Sequence, residues 1–360
     1  MKPPRSLVNR RDLFRLRPGS RAGSLTDRDR AAGGGEDLLR VRRSAMGSFF
    51  EVRLGTRVPA GLDLATRALD VIDALEAQLT VYRDDSELSL LNASAHLGPV
   101  AVEPGLFDLL AKARDLHDAT AGAYDVTAGA LSIAWGFFKG PRRVPDSATL
   151  DDARARTGQR HVTLDPERRT VSFDRPGIVI NLGSIGKGYA IDRAAGVIRE
   201  HWWPTSALIH GGQSSLFALG SPPGTIAGHW EIALRNPVDP EYPLGTIRLR
   251  NRGLGTSGTS FQRFEADGRV YGHILDPRTG APAPPDGPLS VTVLAPTAAE
   301  SDALSTAFYL LGFDAASAYV AEHPEVGAIF VEEAESGRPR VRAVGVGEEE
   351  FRPDRRSVDF

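Results

Sequence analysis

Apolar residues recur at three- and four-residue steps in several stretches of the chain. Over residues 62–80 they are Leu64, Ala68, Val71, Ile72, Leu75 and Leu79, a spacing that places them on one face of an amphipathic helix. Residues 105–119 repeat the pattern with Leu106, Leu109, Leu110, Ala113 and Leu116, and Gly122 then ends that helix and turns the chain. A further helix is predicted over 298–311. Elsewhere the pattern is that of strands. Residues 40–55 alternate as one strand, and short strands at 161–164 and 170–173 lie within a polar, Pro-rich excursion over 140–175. From Ala207 onward, β-rich runs at 207–209, 216–219, 230–234, 246–249 and 290–294 are separated by Gly and Pro, and a last strand falls near 327–331. Strands gathered in one half of the chain with helices on either side predict an α+β fold.

One apolar run breaks differently. In Val179-Ile-Asn-Leu-Gly-Ser-Ile-Gly-Lys-Gly-Tyr-Ala-Ile-Asp192, glycines and Lys187 precede the onset of helical periodicity. Glycines admit close backbone approach, and a helix start offers unpaired N–H groups, so the turn suits an anion such as phosphate. It is not a Walker loop, because Lys187 is followed by Gly188 and the glycine spacing differs. Taken alone it is equally a tight turn between elements.

Charge and composition narrow the setting. Residues 1–40 hold ten Lys and Arg against five Asp and Glu, while the rest of the chain is acidic enough to bring the total to −3. The reading is a disordered basic arm over 1–38, a folded domain over 39–346 and a C-terminal tail over 347–360. The arm also has the composition of a docking segment for an acidic partner or an anionic membrane. Arg10-Arg11-Asp-Leu-Phe14 resembles a twin-arginine signal, but no apolar stretch of adequate length follows it. With no Cys for a lipid anchor or a thiolate metal site and no transmembrane segment, a cytoplasmic enzyme without a nucleic-acid partner is expected.

Further segments occur in fixed order around the glycine turn: Ala45-Met-Gly-Ser48, Tyr82-Arg-Asp-Asp-Ser-Glu-Leu88, Gly122-Ala-Tyr-Asp-Val-Thr127, Ser257-Gly258 with His273-Ile-Leu-Asp-Pro-Arg-Thr-Gly280, and Ser301-Asp-Ala-Leu-Ser-Thr306. Over residues 39–344 this order resembles the ApbE family of flavin transferases, which move FMN from FAD to a Thr or Ser of an acceptor protein. The resemblance implies a two-lobed α+β fold with mixed and antiparallel sheets, helices packed on them and the active site in the cleft.

It also implies roles. Met46 and Tyr82 pack on the isoalloxazine ring, Ala123, Tyr124 and Asp125 approach the adenosine half, and Lys187 faces the pyrophosphate or ribityl chain. Asn181, Ser257, Gly258 and Ile274 complete the FAD contacts. The carbonyl of Ser184 joins Asp302 and Thr306 around Mg2+, and His273 serves as the base toward the acceptor hydroxyl. Without the resemblance, Ser301 or Asp302 reads as a helix N-cap, Met46 as core, Asp125 as a turn residue and His273 as a brace for the Asp276-Pro277 turn. Asp302 and Thr306, four apart, share one helix face either way. Asn181 and Gln213 stand where many family members have Asp, which removes charge but keeps hydrogen-bonding capacity. The activity implied is Mg2+-dependent FMN transfer with release of AMP. An FAD pyrophosphatase and a flavin-binding protein without turnover are the alternatives.

Overall fold

The stretch that alternates over residues 40–55 is two strands, not one. Met46 (φ 49°) and Gly47 (φ 68°) take left-handed backbone and reverse the chain, so β1 (Leu38–Ala45) pairs antiparallel with β2 (Ser48–Gly55). The computed structural model describes residues 38–360 apart from 202–205, 213, 227, 259–262, 335–337, 355–357, 359 and 360; the basic arm, but for its last residue, lies outside the described residues.

After the hairpin, α1 (Gly61–Leu79) buries Leu64, Ala68, Leu69, Ile72, Leu75 and Leu79, the face that periodicity marks. Then come α2 (Glu87–Ser94), β3 (Val100–Ala101) and α3 (Pro104–Ala119), whose first residue is a proline that needs no hydrogen-bond acceptor there. The short helix α4 (Gly129–Ala134) precedes the polar excursion, which holds α5 (Ser147–Ala155), β4 (Val162–Asp165) and β5 (Thr170–Phe173). Next are α6 (Gly186–His201), β6 (Ala207–Gly211), β7 (Ser215–Leu219), β8 (Trp230–Leu234), β9 (Gly245–Leu249) and β10 (Arg252–Gly258). The hairpin β11 (Arg263–Ala266) and β12 (Arg269–Gly272) precedes β13 (Ser290–Ala295), α7 (Ala298–Glu322), β14 (Gly327–Glu333), β15 (Pro339–Val344) and β16 (Phe351–Pro353). Gly312 (φ 77°, ψ 177°) breaks the helical geometry of α7, which then resumes. Residues 351–353, within the segment read as a tail, pair with β9 and bury Phe351.

The main sheet has the order β1-β2-β6-β7-β10-β13-β14-β15, with every neighbouring pair antiparallel. Phe50, Val52, Ile209, Phe217, Val291 and Phe330 on one face join α1, α6 and α7 in the principal core. Leu208, Leu216, Leu254 and Leu294 on the other face meet Trp230, Ile247 and Leu249 of the small sheet β16-β9-β8. This two-sided burial explains why β7 reads as an apolar run over 216–219 and why every residue of β7 and β13 is buried, Thr292 included. A separate cluster of Ala130, Leu131, Trp135 and Leu275 joins α4 to the turn after His273. No described helix is long and apolar enough to cross a membrane.

Candidate active site

The glycine turn is held from both sides. Asn92 mimics a strand partner, its Nδ2 donating to Ile180 O at 2.9 Å while its Oδ1 accepts from Ile180 N at 2.8 Å. Asn181 N donates to Val126 O at 2.7 Å, which ties loop 122–127 alongside, and Asn181 Oδ1 accepts from Gly183 N at 2.9 Å. Gly188, in the first turn of α6, has a packing reason to lack a side chain: a Cβ there would lie 2.1 Å from Ala298 O. Its N–H donates to Asp302 Oδ2 at 2.8 Å.

The start of α7 settles what Asp302 is not. Thr297 is the N-cap: its Oγ1 accepts from Glu300 N at 3.1 Å and donates to Glu300 Oε2 at 3.0 Å. Asp192 of α6 accepts from Ala298 N at 2.8 Å and Ala299 N at 2.9 Å, and burial pushes its pKa up to about 7 despite those two donors. Asp302 therefore sits inside α7 and does not cap it; its carboxylate accepts instead from the first turn of α6. The sheet comes very close here, since a Cβ on Gly255 would lie 2.4 Å from Ser301 O and one on Gly253 2.5 Å from Ala298 N. Ser215, opposite Gly255 in the sheet, donates its hydroxyl to Asp302 Oδ1 at 2.6 Å. Burial raises the Asp302 pKa, and the Lys187 charge opposes that rise.

Hydroxyl groups complete the cluster. Ser257 Oγ lies 2.8 Å from Ser305 Oγ and 3.2 Å from Thr306 Oγ1, and Ser305 Oγ donates to Asp302 O at 2.8 Å. Tyr124 is 1% exposed, and its hydroxyl has no partner at hydrogen-bond geometry although Ser184 and the Asp302 charge are its neighbours. An unpaired buried phenol costs free energy unless a ligand completes it. The donor set of one carboxylate with hydroxyl and carbonyl oxygens fits a hard cation such as Mg2+, which keeps its remaining positions for water and phosphate. Among the described residues no group of three or more His, Cys, Asp or Glu is placed to hold a metal. An ion here would rely on Asp302 as its carboxylate.

A second wall is aromatic. Tyr82, 66% exposed, stands edge-on to Phe138 with ring centroids 5.2 Å apart, and Phe137 meets the half-buried His273 at 6.4 Å. Gly136 (φ 71°) makes the tight turn that sets this pair of phenylalanines between them. His273 follows β12 directly; Phe264 and Tyr271 of the hairpin stack at 5.3 Å, and Tyr271 lies 5.4 Å from Trp135. Trp135 Nε1 donates to Gly280 O at 2.9 Å, pinning the far end of the turn. Ile274 is buried, and the Asp276 carboxylate is held by Arg278 at 2.9 and 2.8 Å. Met46 and Tyr82 lie at the same end of α1: Met46 N donates to Glu76 Oε1 at 2.7 Å, and Tyr82 follows that helix.

The structure thus gathers Tyr124, Ser184, Lys187, Ser257, Asp302 and Thr306, and Gly258 ends the strand that carries Ser257. Asp125 faces inward instead. Its Oδ1 accepts from Thr127 N at 2.8 Å and Thr127 Oγ1 at 2.6 Å, its Oδ2 lies 3.3 Å from His117 Nδ1, and its side chain is 1% exposed. That carboxylate raises the pKa of His117. The carboxylate braces the loop, while Ala123 and Tyr124 beside it are almost wholly buried. His117, Phe137, Phe138 and Ser215 escaped the sequence reading. The Gly253-Leu-Gly255 alternation and the Thr297-to-Glu300 spacing were its available signals for close packing and for the true cap. Gln213 lies outside the described residues.

Comparison with known proteins bears on this geometry. The model of the ApbE family matches residues 46–330. The FAD:protein FMN transferase of Treponema pallidum is 32% identical over 301 residues, spanning 79% of this chain and 82% of its own. The protein of the same name from Salmonella typhimurium is 31% identical over 276 residues, spanning 74% and 77%. Among solved structures, the ApbE protein of Thermotoga maritima superposes with a TM-score of 0.77 at 26% identity, covering 86% of this chain and 97% of its own. The flavin transferase ApbE of Vibrio cholerae gives 0.74 at 27% identity, with the same coverage.

Proposed function

The chain belongs to the ApbE family, and from that premise we propose how this flavin transferase, which moves FMN from FAD to an acceptor protein, carries out the transfer. The acceptor group is a Thr or Ser hydroxyl, AMP is the leaving group and Mg2+ the metal. The observation that carries the reading is the dry Asp302 carboxylate, held by Gly188 N and Ser215 Oγ beside Lys187. Asp302, Thr306 and the carbonyl of Ser184 would hold the ion, which when bound supplies positive charge to the pyrophosphate oxygens.

Lys187 adds charge on the same group. Met46 and Tyr82 orient the isoalloxazine ring, a role that suits a polarizable thioether and an exposed aromatic face. Asn181, Ser257, Gly258 and Ile274 line the path between, and the backbone of Ala123, Tyr124 and Asp125 meets the adenosine half. His273 takes the proton from the acceptor hydroxyl as its oxygen forms a bond to the FMN phosphorus. The phosphoanhydride bond breaks and its electron pair leaves with AMP. Positioning and electrostatics carry most of the rate.

The test is mass spectrometry of candidate acceptors incubated with the enzyme, FAD and Mg2+. A covalent FMN on the acceptor, absent with EDTA, is expected. FMN and AMP released without acceptor would instead indicate a pyrophosphatase, and intact FAD a binder without turnover.

A further inference from the structure

A pocket of about 390 Å³ opens between the end of α5 and the turn after His273, apart from the cluster around Asp302. Its walls bring together Arg154, Arg160 and Arg278 with Thr157 and Asp151. Arg154 stands in the last turn of α5, with Nη1 3.6 Å from Asp151 at an exposed site. Arg160 belongs to the single helical turn Gln159–His161, and among the described residues no ion pair holds it. Arg278 is fixed by the Asp276 carboxylate at 2.9 and 2.8 Å.

Three cations from two distant segments face two carboxylates, which leaves the pocket positive. The net positive charge favours an anion, and the guanidinium N–H groups not taken by Asp276 and Asp151 suit the oxygens of a phosphate. The depression is open to solvent, with Arg154, Arg160 and Arg278 exposed, and its volume exceeds the needs of the anion itself.

Its position adds a second argument. A Cβ on Gly122 would lie 3.8 Å from Arg278 Cγ, and Gly158 N donates to Thr127 Oγ1 at 2.6 Å. The pocket therefore backs onto loop 122–127, the segment assigned above to the adenosine half of FAD. We propose that this pocket is a phosphomonoester site, occupied by AMP or by inorganic phosphate, and separate from the FAD site. The choice of AMP as a ligand rests on the transfer reaction proposed above; the arginine cluster does not.

Titration calorimetry in EDTA, which prevents turnover, tests this with AMP and with inorganic phosphate on the full chain, each with and without saturating FAD. At least one of the two should bind with FAD already in place. Arg154→Gln with Arg160→Gln should weaken that binding by about tenfold or more for each guanidinium removed, while Arg160→Lys, which retains the charge, should weaken it less. Melting curves on each variant report whether it is folded. Binding of phosphate alone supports the site and names free phosphate as its source. Failure of both ligands to bind the wild type, displacement of AMP by FAD, or unchanged affinity in the folded double variant would each overturn the proposal. Flavin transfer to an acceptor is measured on the same preparations. Its absence in the wild type defeats the proposed reaction and leaves the anion result standing.

Discussion

Replacing Asp302 by Asn and by Ala separates what this carboxylate does for the fold from what it does for the reaction. Its oxygens accept from Gly188 N at 2.8 Å and Ser215 Oγ at 2.6 Å, and burial raises its pKa because the charged form is desolvated. Asn keeps an acceptor for the Gly188 N–H, and its NH2 group can donate to Ser215 Oγ once that hydroxyl turns to accept. No buried charge remains. In EDTA, Asp302→Asn should lie within about 1 kcal/mol of the wild type. Ala leaves both donors buried and unpaired at about 1–3 kcal/mol each, partly offset by removal of the desolvated charge. The net loss is on the order of 2–4 kcal/mol, a fall in Tm of roughly 3–6 °C for a folded chain of this length. Mg2+ should raise the Tm of the wild type and of neither variant, and both variants should lose flavin transfer. Calorimetry with EDTA, then with Mg2+, then acceptor mass spectrometry reads all three quantities. If Asp302→Ala is as stable as Asp302→Asn in EDTA, the two hydrogen bonds do not hold α6 and β7 to α7. If Asp302→Asn transfers flavin at the wild-type rate, the ion is not held at Asp302.

His273→Asn should retain FAD affinity and Tm while transfer falls by roughly 10²–10⁴-fold, the scale of general acid–base catalysis; a proportionate loss of affinity and stability would mark the imidazole as a brace for the turn. Gly255→Ala places a Cβ 2.4 Å from Ser301 O, so the start of α7 must yield by about 1 Å. The expected cost is about 1–3 kcal/mol in denaturant melts, and an unchanged midpoint would refute the close contact of β10 with α7. Asp125 raises the pKa of His117 above its ordinary 6.5, so the protonated ring is favoured in the fold. That stabilisation is complete below about pH 6.5 and is lost as pH rises through the higher folded value. The Tm gap between wild type and His117→Gln should be widest at low pH and close on the alkaline side; a gap independent of pH would show that the ion pair contributes nothing.

The helices were legible where one apolar face was continuous: the span read as 62–80 is α1 at Gly61–Leu79. Strand β5 was read at its observed bounds. The β1–β2 hairpin was not, because Met46-Gly47 lacks the Asn-Gly or Asp-Gly chemistry that marks such turns, and alternation runs on through both arms. Strand β16 was hidden for a different reason: it is three residues long, sits among charged residues and contributes one buried side chain, Phe351. In the site, the four-residue spacing of Asp302 and Thr306 placed both on one helix face without any tertiary knowledge. The hydroxyl that Ser215 gives Asp302 comes from 87 positions away, and the unpaired Tyr124 phenol is a property of the packed interior alone. Local pattern carries neither.

The glycines of the turn and of β10 have one shared consequence. Gly188 admits α6 against Ala298, while Gly253 and Gly255 admit the sheet against Thr297 to Asp302. With both approaches closed, water is excluded from the Asp302 carboxylate, and its ionised form becomes expensive. A cation held there, as proposed above, would remove that expense in the folded chain and would find no comparable site in the unfolded one. On that proposal the close packing would couple ion binding to stability, with the coupling growing with ion concentration as RT ln(1 + [L]/Kd). Side chains at any of these glycines would loosen the approach, hydrate the carboxylate and weaken that coupling, even with every oxygen ligand still in place.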